Sequence, residues 1–520
     1  MTFIEDTIQR PVVSGTKKRS ATRKHIRGSG LLLAGRLLSV GINFASQVLM
    51  VRYLSTSDYG AWAYALSIVA FCQGFATLGL DRAITRFIPI YHEKHEYAKL
   101  FGTIVLVVGS ILLTCLVTIV AFYSAPQELA RLMSDDQQPL LLLFVMIFMV
   151  PVEALDGLLI GLFASFASPR AIFFRKHVLG PSLKFAVVTL LLLWQAKVLF
   201  LAYGYLSASL LGVLIYTWVL LRLLRRQGLL AHWSRSKLEI PTKEVFSFTI
   251  PLMTSDLVTM LMQSLGVMLL GYFHNTAEVA FFRVVLPAAH LNKLIMLSFA
   301  LLYTPTTARM FARQDYEGIN HLYWQTALWM VVLSFPIFAV TFSLAEPLTV
   351  LLYGERYAAS GVILALVSFG YFFDVALGFN GLTLKVLGKL RYVVIINIVA
   401  ALVNVALNFL LIPRYGALGA GIASAGSLVA HTLLKHAGLR LAAGVSRFDA
   451  KYTGFYLLIA LSAFGLFGLQ HWLALNIYLS FALASVASLL VLTVARRYLE
   501  IEDTFPELLK VPLLRRFLKH

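Results

Sequence analysis

The sequence predicts an all-α polytopic membrane protein with about fourteen transmembrane helices, and three observations carry that prediction. The 520 residues are 59% hydrophobic and only 13% charged, with a mean hydropathy of +0.80, whereas soluble globular chains carry about 25% charged residues. Apolar runs of membrane-crossing length recur from residue 29 to residue 495, as spanning helices require and the short alternating segments of a barrel do not. Lys and Arg are also distributed unevenly. With the N-terminus placed in the cytoplasm, 35 of the 44 fall on the cytoplasmic side, as the positive-inside bias demands.

Each span is bounded by charges or by Pro and Gly. The first, 29–53, follows a polar, basic tail at 1–28 that does not resemble a cleavable signal. Spans at 59–80, 101–124, 139–165, 178–194 and 198–221 complete a first half, 29–221. A basic linker at 222–244 leads to spans at 245–272, 279–304, 326–352, 358–381, 391–413 and 416–434, a second half covering 245–434. Two further spans, 452–472 and 474–495 (together 452–495), precede a tail at 496–520. In that tail Leu509, Leu513 and Phe517 repeat on one face with Lys510, Arg515, Arg516 and Lys519 off it, the pattern of an interfacial helix. Both termini are expected in the cytoplasm, and the protein in the cytoplasmic (inner) membrane.

Several function classes drop out. The net charge of +19 is topological and lipid-facing, so nucleic acid is not an expected partner. The longest loops, 81–100, 222–244, 305–325 and 435–451, are short, and no HExxH, Walker A, GxSxG or CxxC pattern occurs. No enzyme, cofactor or metal site is expected. Cys72 and Cys115 fall inside spans, which argues against a disulfide framework.

A weak internal repeat points to transport. The first span ends in RYLSTSDYGAWAY and the seventh in GYFHNTAEVAFFR, each with an acid in the following turn, Asp58 or Glu278, at an offset of about 220 residues. Two like-oriented six-helix halves imply a pseudo-two-fold axis along the membrane normal, a transporter arrangement.

Polar residues inside the spans mark faces that avoid lipid. Arg36, Asn43 and Gln47 lie on nearly one line of the first helix, and Asn397, Asn404 and Asn408 repeat that spacing in the eleventh. Thr249, Asp256 and Gln263 are successive i+7 positions in the seventh; Arg283 and His290 share a line in the eighth, with Lys293 nearby. Helix–helix hydrogen bonding accounts for such stripes as readily as a lumen does, and Arg36 lies shallow enough to snorkel. Arg283 and Lys293 cannot both reach one interface. A lumen lined by Arg36, Lys184, Arg283 and Lys293, with Asn43, Gln47, Gln263 and His290 as polar neighbours, suits a diphosphate or an acidic sugar, because Arg forks onto phosphate and Lys supplies a movable charge. Glu153, Asp156, Asp256 and Asp374 are candidates for H+ or Na+ coupling; alternatively they neutralise intramembrane cations, Asp256 pairing with Lys293 or His290. Pro151, Pro181, Pro251, Pro287 and Pro336 are expected to bend their helices.

Other residues carry a resemblance over nearly the whole chain. They are Arg52-Tyr53-Leu54, Asp58-Tyr59-Gly60, Leu78-Gly79-Leu80 and Arg86 in the first half. In the second they are Ile250-Pro251-Leu252, Leu270-Gly271-Tyr272-Phe273, LYGERYAASG at 352–361 and LKVLGKLRYVVIINIVAALVNVALNFLLIPRYGALGAGIASAGS at 384–427. In these the chain resembles polysaccharide exporters of the Wzx type, within the superfamily that includes MATE transporters and the lipid II flippase MurJ. The resemblance implies a V-shaped bundle of two six-helix lobes plus two C-terminal helices. It implies a flippase that moves undecaprenyl-type lipid-diphosphate-linked oligosaccharide from the inner to the outer leaflet by alternating access, for polysaccharide or O-antigen assembly, with membrane lipids and possible polymerase or ligase machinery as partners. Where the family often has an acid late in the seventh helix, this chain reads Ser264-Leu265-Gly266. The alternatives are a MATE-like ion-coupled small-molecule exporter and a membrane polysaccharide polymerase or ligase.

Overall fold

The computed structural model describes residues 15–77, 79–132, 137–166, 169–233, 238–443, 452–473 and 475–499. The distal amphipathic tail and the first fourteen residues of the basic tail lie outside them. Every regular element among the described residues is helical. Among the described residues, twelve helices are long and apolar enough to cross a membrane, or thirteen if one bent pair is a single span. Their outward faces carry large exposed apolar side chains such as Leu113, Leu116 and Val117, and Leu461 and Val486, the surface that lipid wets in a membrane.

The first half is α1 (Gly15–Tyr53), α2 (Thr56–Thr77), α3 (Leu80–Glu93), α4 (Tyr97–Ser124), α5 (Pro126–Leu132), α6 (Gln137–Met146), α7 (Met149–Ser165), α8 (Pro169–Ile172), α9 (Gly180–Leu193) and α10 (Val198–Arg226). The second half is α11 (Thr242–Phe273), α12 (Thr276–Arg283), α13 (Leu286–His290), α14 (Leu294–Ala312), α15 (Tyr316–Phe338), α16 (Ala345–Tyr353), α17 (Ser360–Ala376), α18 (Asn380–Val386) and α19 (Leu390–Ala443), followed by α20 (Thr453–Leu473) and α21 (Ile477–Ala495).

Segment 81–100, expected as a loop, is mostly helix. α3 buries Leu80, Ala83, Ile84, Phe87, Ile88 and Tyr91 on one face and exposes Arg82 and Arg86 on the other, so its charges belong to an amphipathic helix. The other long loops shorten likewise, since α14 runs to Ala312 and α15 begins at Tyr316.

α19 folds back on itself. At 1.5 Å per residue, a straight 54-residue helix would measure ~80 Å against a hydrocarbon core of ~30 Å. Gly416 breaks it at φ 53°, ψ −131°. Asn404 donates to Ser427 at 3.0 Å and His431 meets Asn397 at 3.0 Å, contacts that only two antiparallel arms allow. The expected eleventh and twelfth spans are these arms, and their asparagine stripe works in packing. Ala417 N–H, which opens the second arm, donates to Glu278 Oε2 at 2.6 Å, a carboxylate at a helix N-terminus.

Four of the five prolines expected to bend their helices sit at breaks, whereas α11 runs unbroken through Pro251. Pro151 follows the 41° bend between α6 and α7, Pro287 opens α13, and Pro181 and Pro336 flank the π-helical stretches Phe173–Leu179 and Ala339–Ser343. Each ring removes a backbone donor where the ladder already changes pitch.

The halves meet along α2 and α12. Ser57 and Thr276, about 220 residues apart, hold hydroxyl to hydroxyl at 3.0 Å. Gly60 lies so close to Thr276 that a Cβ there would come within 1.7 Å of its carbonyl oxygen, and a Cβ at Gly271 would strike the Tyr64 ring. Glycine lets these helices approach without a side chain between them.

Candidate functional site

A cavity of about 200 Å³ lies between the halves. Gln47 of α1, Tyr59 and Trp62 of α2, Tyr205 of α10, and Arg283 and His290 of the broken α12–α13 segment line it. Gln47 is 9% exposed; its amide donates to the Val284 carbonyl at 2.9 Å and to Tyr59 Oη at 3.2 Å, so a residue of the first half is fastened to the second at the cavity wall. Of the expected lumen residues, Gln47, Arg283 and His290 converge here.

Others lie elsewhere. Arg36, Asn43 and Gln263 are exposed and do not line this cavity. Near Arg36, Ser39 meets His177 Nδ1 at 3.1 Å and Gly35 faces Phe173, which sets that part of α1 against the π-helical stretch before α9. Lys184 donates to Glu153 Oε1 at 2.9 Å.

All four intramembrane acids hold cations. Glu153 takes Lys184 and also the Ser209 hydroxyl, 2.9 Å away. Asp156 pairs with Arg175 at 2.5 Å. Arg175 is 5% exposed, its guanidinium is 5.6 Å from the Tyr216 ring, and a Cβ at Gly212 would approach its Cζ to 2.9 Å. Asp374, 4% exposed, is flanked by Lys293 at 2.8 Å and Lys435 at 2.9 Å and accepts from Thr432 at 2.8 Å. Asp256 pairs with Arg82 of α3, in the other half, at 2.5 Å; the pairing expected with Lys293 or His290 is not the one formed, because Lys293 turns to Asp374.

Arg82, Arg175 and Lys435 escaped the sequence reading because each lies in a stretch with other charges that reads as a loop. For Arg82 the usable signal was the 3.6-residue apolar period of α3. Arg175 and Lys435 gave no comparable signal.

Glu153 and Asp374 repeat one design. They are about 220 residues apart, on α7 and α17; each takes a Lys and a hydroxyl, and the hydroxyls lie on α10 and on the second arm of α19, the last helices of their halves. The charge differs. The first-half cluster of Glu153, Asp156, Arg175 and Lys184 is neutral in formal charge, whereas Asp374 faces two lysines. That excess cation lies behind the cavity wall: Lys293 is 5.0 Å from the centre of the Tyr371 ring, and Tyr371 Oη contacts His290.

The halves are closed at both ends. At the α1–α2 end, Arg52 donates to the carbonyls of Leu352, at 2.8 Å, and Leu351, while Arg356 donates to those of Arg52, at 3.2 Å, and Val51. Each guanidinium thus caps the C-terminal turn of a helix in the opposite half. At the α3–α4 end the contacts are Arg82 with Asp256, Tyr91 Oη donating to Glu244 at 2.7 Å, and Arg86 4.2 Å from the centre of the Phe248 ring.

A family model described as "Polysaccharide biosynthesis protein" matches residues 26–311, and one described as "MatE" matches 251–410. An uncharacterized membrane protein of Methanocaldococcus jannaschii, MJ1068, is 22% identical over 423 residues, 78% of this chain and 81% of that protein. The capsular polysaccharide biosynthesis protein CapF of Staphylococcus aureus is 24% identical over 180 residues, 35% of this chain and 46% of CapF. Among solved structures, the lipid II flippase MurJ in an inward closed conformation superposes with a TM-score of 0.70 at 13% identity, covering 91% of this chain and 99% of MurJ. An inward-facing multidrug MATE transporter of the MOP superfamily gives 0.59 at 15% identity, covering 82% and 95%.

Proposed function

Because the chain belongs to the polysaccharide biosynthesis protein family and has the fold of MurJ and the MATE transporters, we propose that it flips a lipid-diphosphate-linked oligosaccharide from the cytoplasmic to the outer leaflet of the inner membrane. The observation that carries this reading is the convergence of Arg283, His290 and Gln47 on one cavity between the halves. The cavity wall on the second-half side is cationic, through Arg283 and the excess charge of the Lys293–Asp374–Lys435 cluster. Arg283 offers forked donors to a diphosphate, and Lys293 is a tethered charge that an anion can draw from Asp374. The lipid tail stays in the bilayer, so the protein need enclose only the polar head.

The cavity as described is too small for that head. Ligand sites usually enclose about 300–1,000 Å³, against about 200 Å³ here, so the halves have to part. With the N-terminus in the cytoplasm, the α3–α4 end faces inward and admits cargo when Arg82 leaves Asp256. The α1–α2 end releases it when the Arg52 and Arg356 contacts open. Exposed ion pairs contribute about 0–1 kcal/mol, and Arg82 and Asp256 are 45% and 33% exposed at the side chain. Such a contact can be broken in each cycle. Coupling enters at the same place: protonating Asp256, or giving it a Na+, frees Arg82 and favours the inward-open form.

The MatE match supports a second reading, export of a small molecule; the cationic wall then favours an anionic cargo. The deciding measurement is the leaflet position of lipid-linked oligosaccharide in cells with and without the gene. Inner-leaflet accumulation without it supports the flippase, and Arg283→Gln should reproduce that accumulation at normal protein level. Completed units reaching the outer leaflet without the gene would refute it.

A further inference from the structure

A crevice of about 930 Å³ lies where α20 and α21 meet the second half, alongside the short helix α16. We propose that it seats a phospholipid with a primary-amine headgroup, phosphatidylethanolamine, as a bound component of the protein. Which leaflet supplies the lipid rests on the orientation proposed above; the binding does not depend on transport.

The walls grade from polar to aromatic. Along α20 the lining residues pass from His471 and Gln470 near its end to Phe467 and then Phe464, about one turn at a time. Along α17 they pass from Gly361 and Val362 in the first turn to Leu366 and Phe369. The third wall changes from Glu346, in the first turn of α16, to Phe342 in the π-helical stretch before it. These gradients run together. A Cβ at Gly361 would come within 2.6 Å of Glu346 Cα, which joins the polar ends of α16 and α17. Phe342 joins the aromatic ends, its ring centre 5.3 Å from that of Phe467, 5.5 Å from Phe464 and 6.3 Å from Phe369. Ser343 Oγ donates to the Ala463 carbonyl at 3.1 Å and pins α20 there. A phospholipid has the same order, with its head at the surface and its chain in the core. Val362 and Phe464 are exposed, so the crevice opens sideways to the bilayer. An apolar crevice stays dry, and left empty it forfeits dispersion contacts along its walls. An acyl chain restores them.

Charge selects the head. Glu346 opens α16 and Glu355 follows its end; both are exposed at the crevice, and no ion pair among the described residues involves either. Arg356, next to Glu355, donates instead to the carbonyls of Val51 and Arg52. Among the described lining residues there is no Lys or Arg. A primary ammonium donates charge-assisted hydrogen bonds to such a carboxylate, and the His471 imidazole offers a donor to the phosphodiester. Phosphatidylglycerol would bring net negative charge to two acids, and the quaternary ammonium of phosphatidylcholine has no N–H to donate. Gln470 is engaged within the α20–α21 turn, where it accepts from Ser480 Oγ and donates to the Leu475 carbonyl, so it holds the wall.

The crevice backs away from the central cavity. The two share no lining residue, and Tyr371, which contacts His290 at the central cavity, lies about 200° round α17 from Phe369. It touches the closure of the α1–α2 end instead, since Leu351 lines it and the Leu351 carbonyl accepts from Arg52.

The test titrates the delipidated full chain in detergent with dioleoyl phosphatidylethanolamine, phosphatidylcholine or phosphatidylglycerol, read by native mass spectrometry. We expect saturable binding of the ethanolamine lipid, tighter than either of the others by about tenfold, the worth of one hydrogen bond to a charged group. Glu346→Gln/Glu355→Gln should lose that margin and keep the weaker binding common to all three. Val362→Trp, which fills the crevice from an exposed position, should weaken all three. Both variants should unfold as wild type does in lipid-free detergent. The proposal is overturned if wild type shows no margin, if the glutamine variant keeps it, or if Val362→Trp binds as wild type. It is overturned too if a polyprenyl phosphate displaces the ethanolamine lipid, which would make the crevice a seat for the cargo's tail. A leaflet measurement that refutes the flippase leaves this binding standing.

Discussion

At the scale of single residues, the buried charges are the sharpest feature. Removing one partner of a buried ion pair costs about 3–5 kcal/mol, because the other charge is left without compensation. Asp374→Leu strands both Lys293 and Lys435, so we expect a large fall in the thermal midpoint of the detergent-solubilised protein. Adding Lys435→Met should recover part of it; a single variant as stable as wild type would show that the cluster does not hold the fold. Gly212→Ala pushes a Cβ to 2.9 Å from the Arg175 guanidinium, and it should weaken the Arg175–Asp156 pair and lower the midpoint by a smaller amount. The sequence showed which residues were charged and apolar-embedded, which was enough to find Gln47, Arg283 and His290. It did not show the pairings, because Arg82, Lys293 and Lys435 find their acids on helices distant in the chain. Asp256 is the instructive case: its partner, Arg82, lies 174 residues away in a segment that reads as a loop.

At the scale of elements, apolar length alone located the spans, since crossing a membrane dictates it. It did not reveal that α12, α13 and α14 are pieces of one broken span, or that α3 is a helix. The turn at Gly416 shows what local chemistry adds. Its φ of 53° and ψ of −131°, with Glu278 Oε2 2.5 Å from where a Cβ would stand, exclude a side chain on two counts. Strain in such a region costs of order 1–3 kcal/mol. Gly416→Ala should therefore lower the unfolding midpoint and raise amide exchange at Ala417, whose N–H is held by Glu278. Unchanged exchange at that amide would mean that the cap does not secure the second arm.

At the scale of the molecule, the described form is closed at both ends, with helices of the two halves in direct contact. Ser57 and Thr276 are 3.0 Å apart, so a Ser57→Cys/Thr276→Cys variant should form a disulfide that locks the α1–α2 end. We expect oxidation to stop transport and reductant to restore it; full transport by the oxidised protein would show that this end need not open. The native thiols Cys72 and Cys115 are both buried and should not compete. The repeat visible in RYLSTSDYG and GYFHNTAEV was a faint trace of this arrangement. Its physical content, two matched turns touching each other, needed the third dimension.

The order of the ion-pair partners along the chain also bears on how the protein is made. A lone charge at the centre of a spanning helix raises the cost of insertion by about 2.5–3.5 kcal/mol. In the first half the partners are close in the chain: Glu153 and Asp156 on α7 are followed within about thirty residues by Arg175 and Lys184, so each acid stays unpaired only until the next helix arrives. In the second half Lys293 precedes Asp374 by some eighty residues, and Lys435 follows it. Nascent chains arrested before α17 should therefore hold the α12–α14 segment less firmly in the membrane than chains arrested after it, while the first half should seat itself helix by helix.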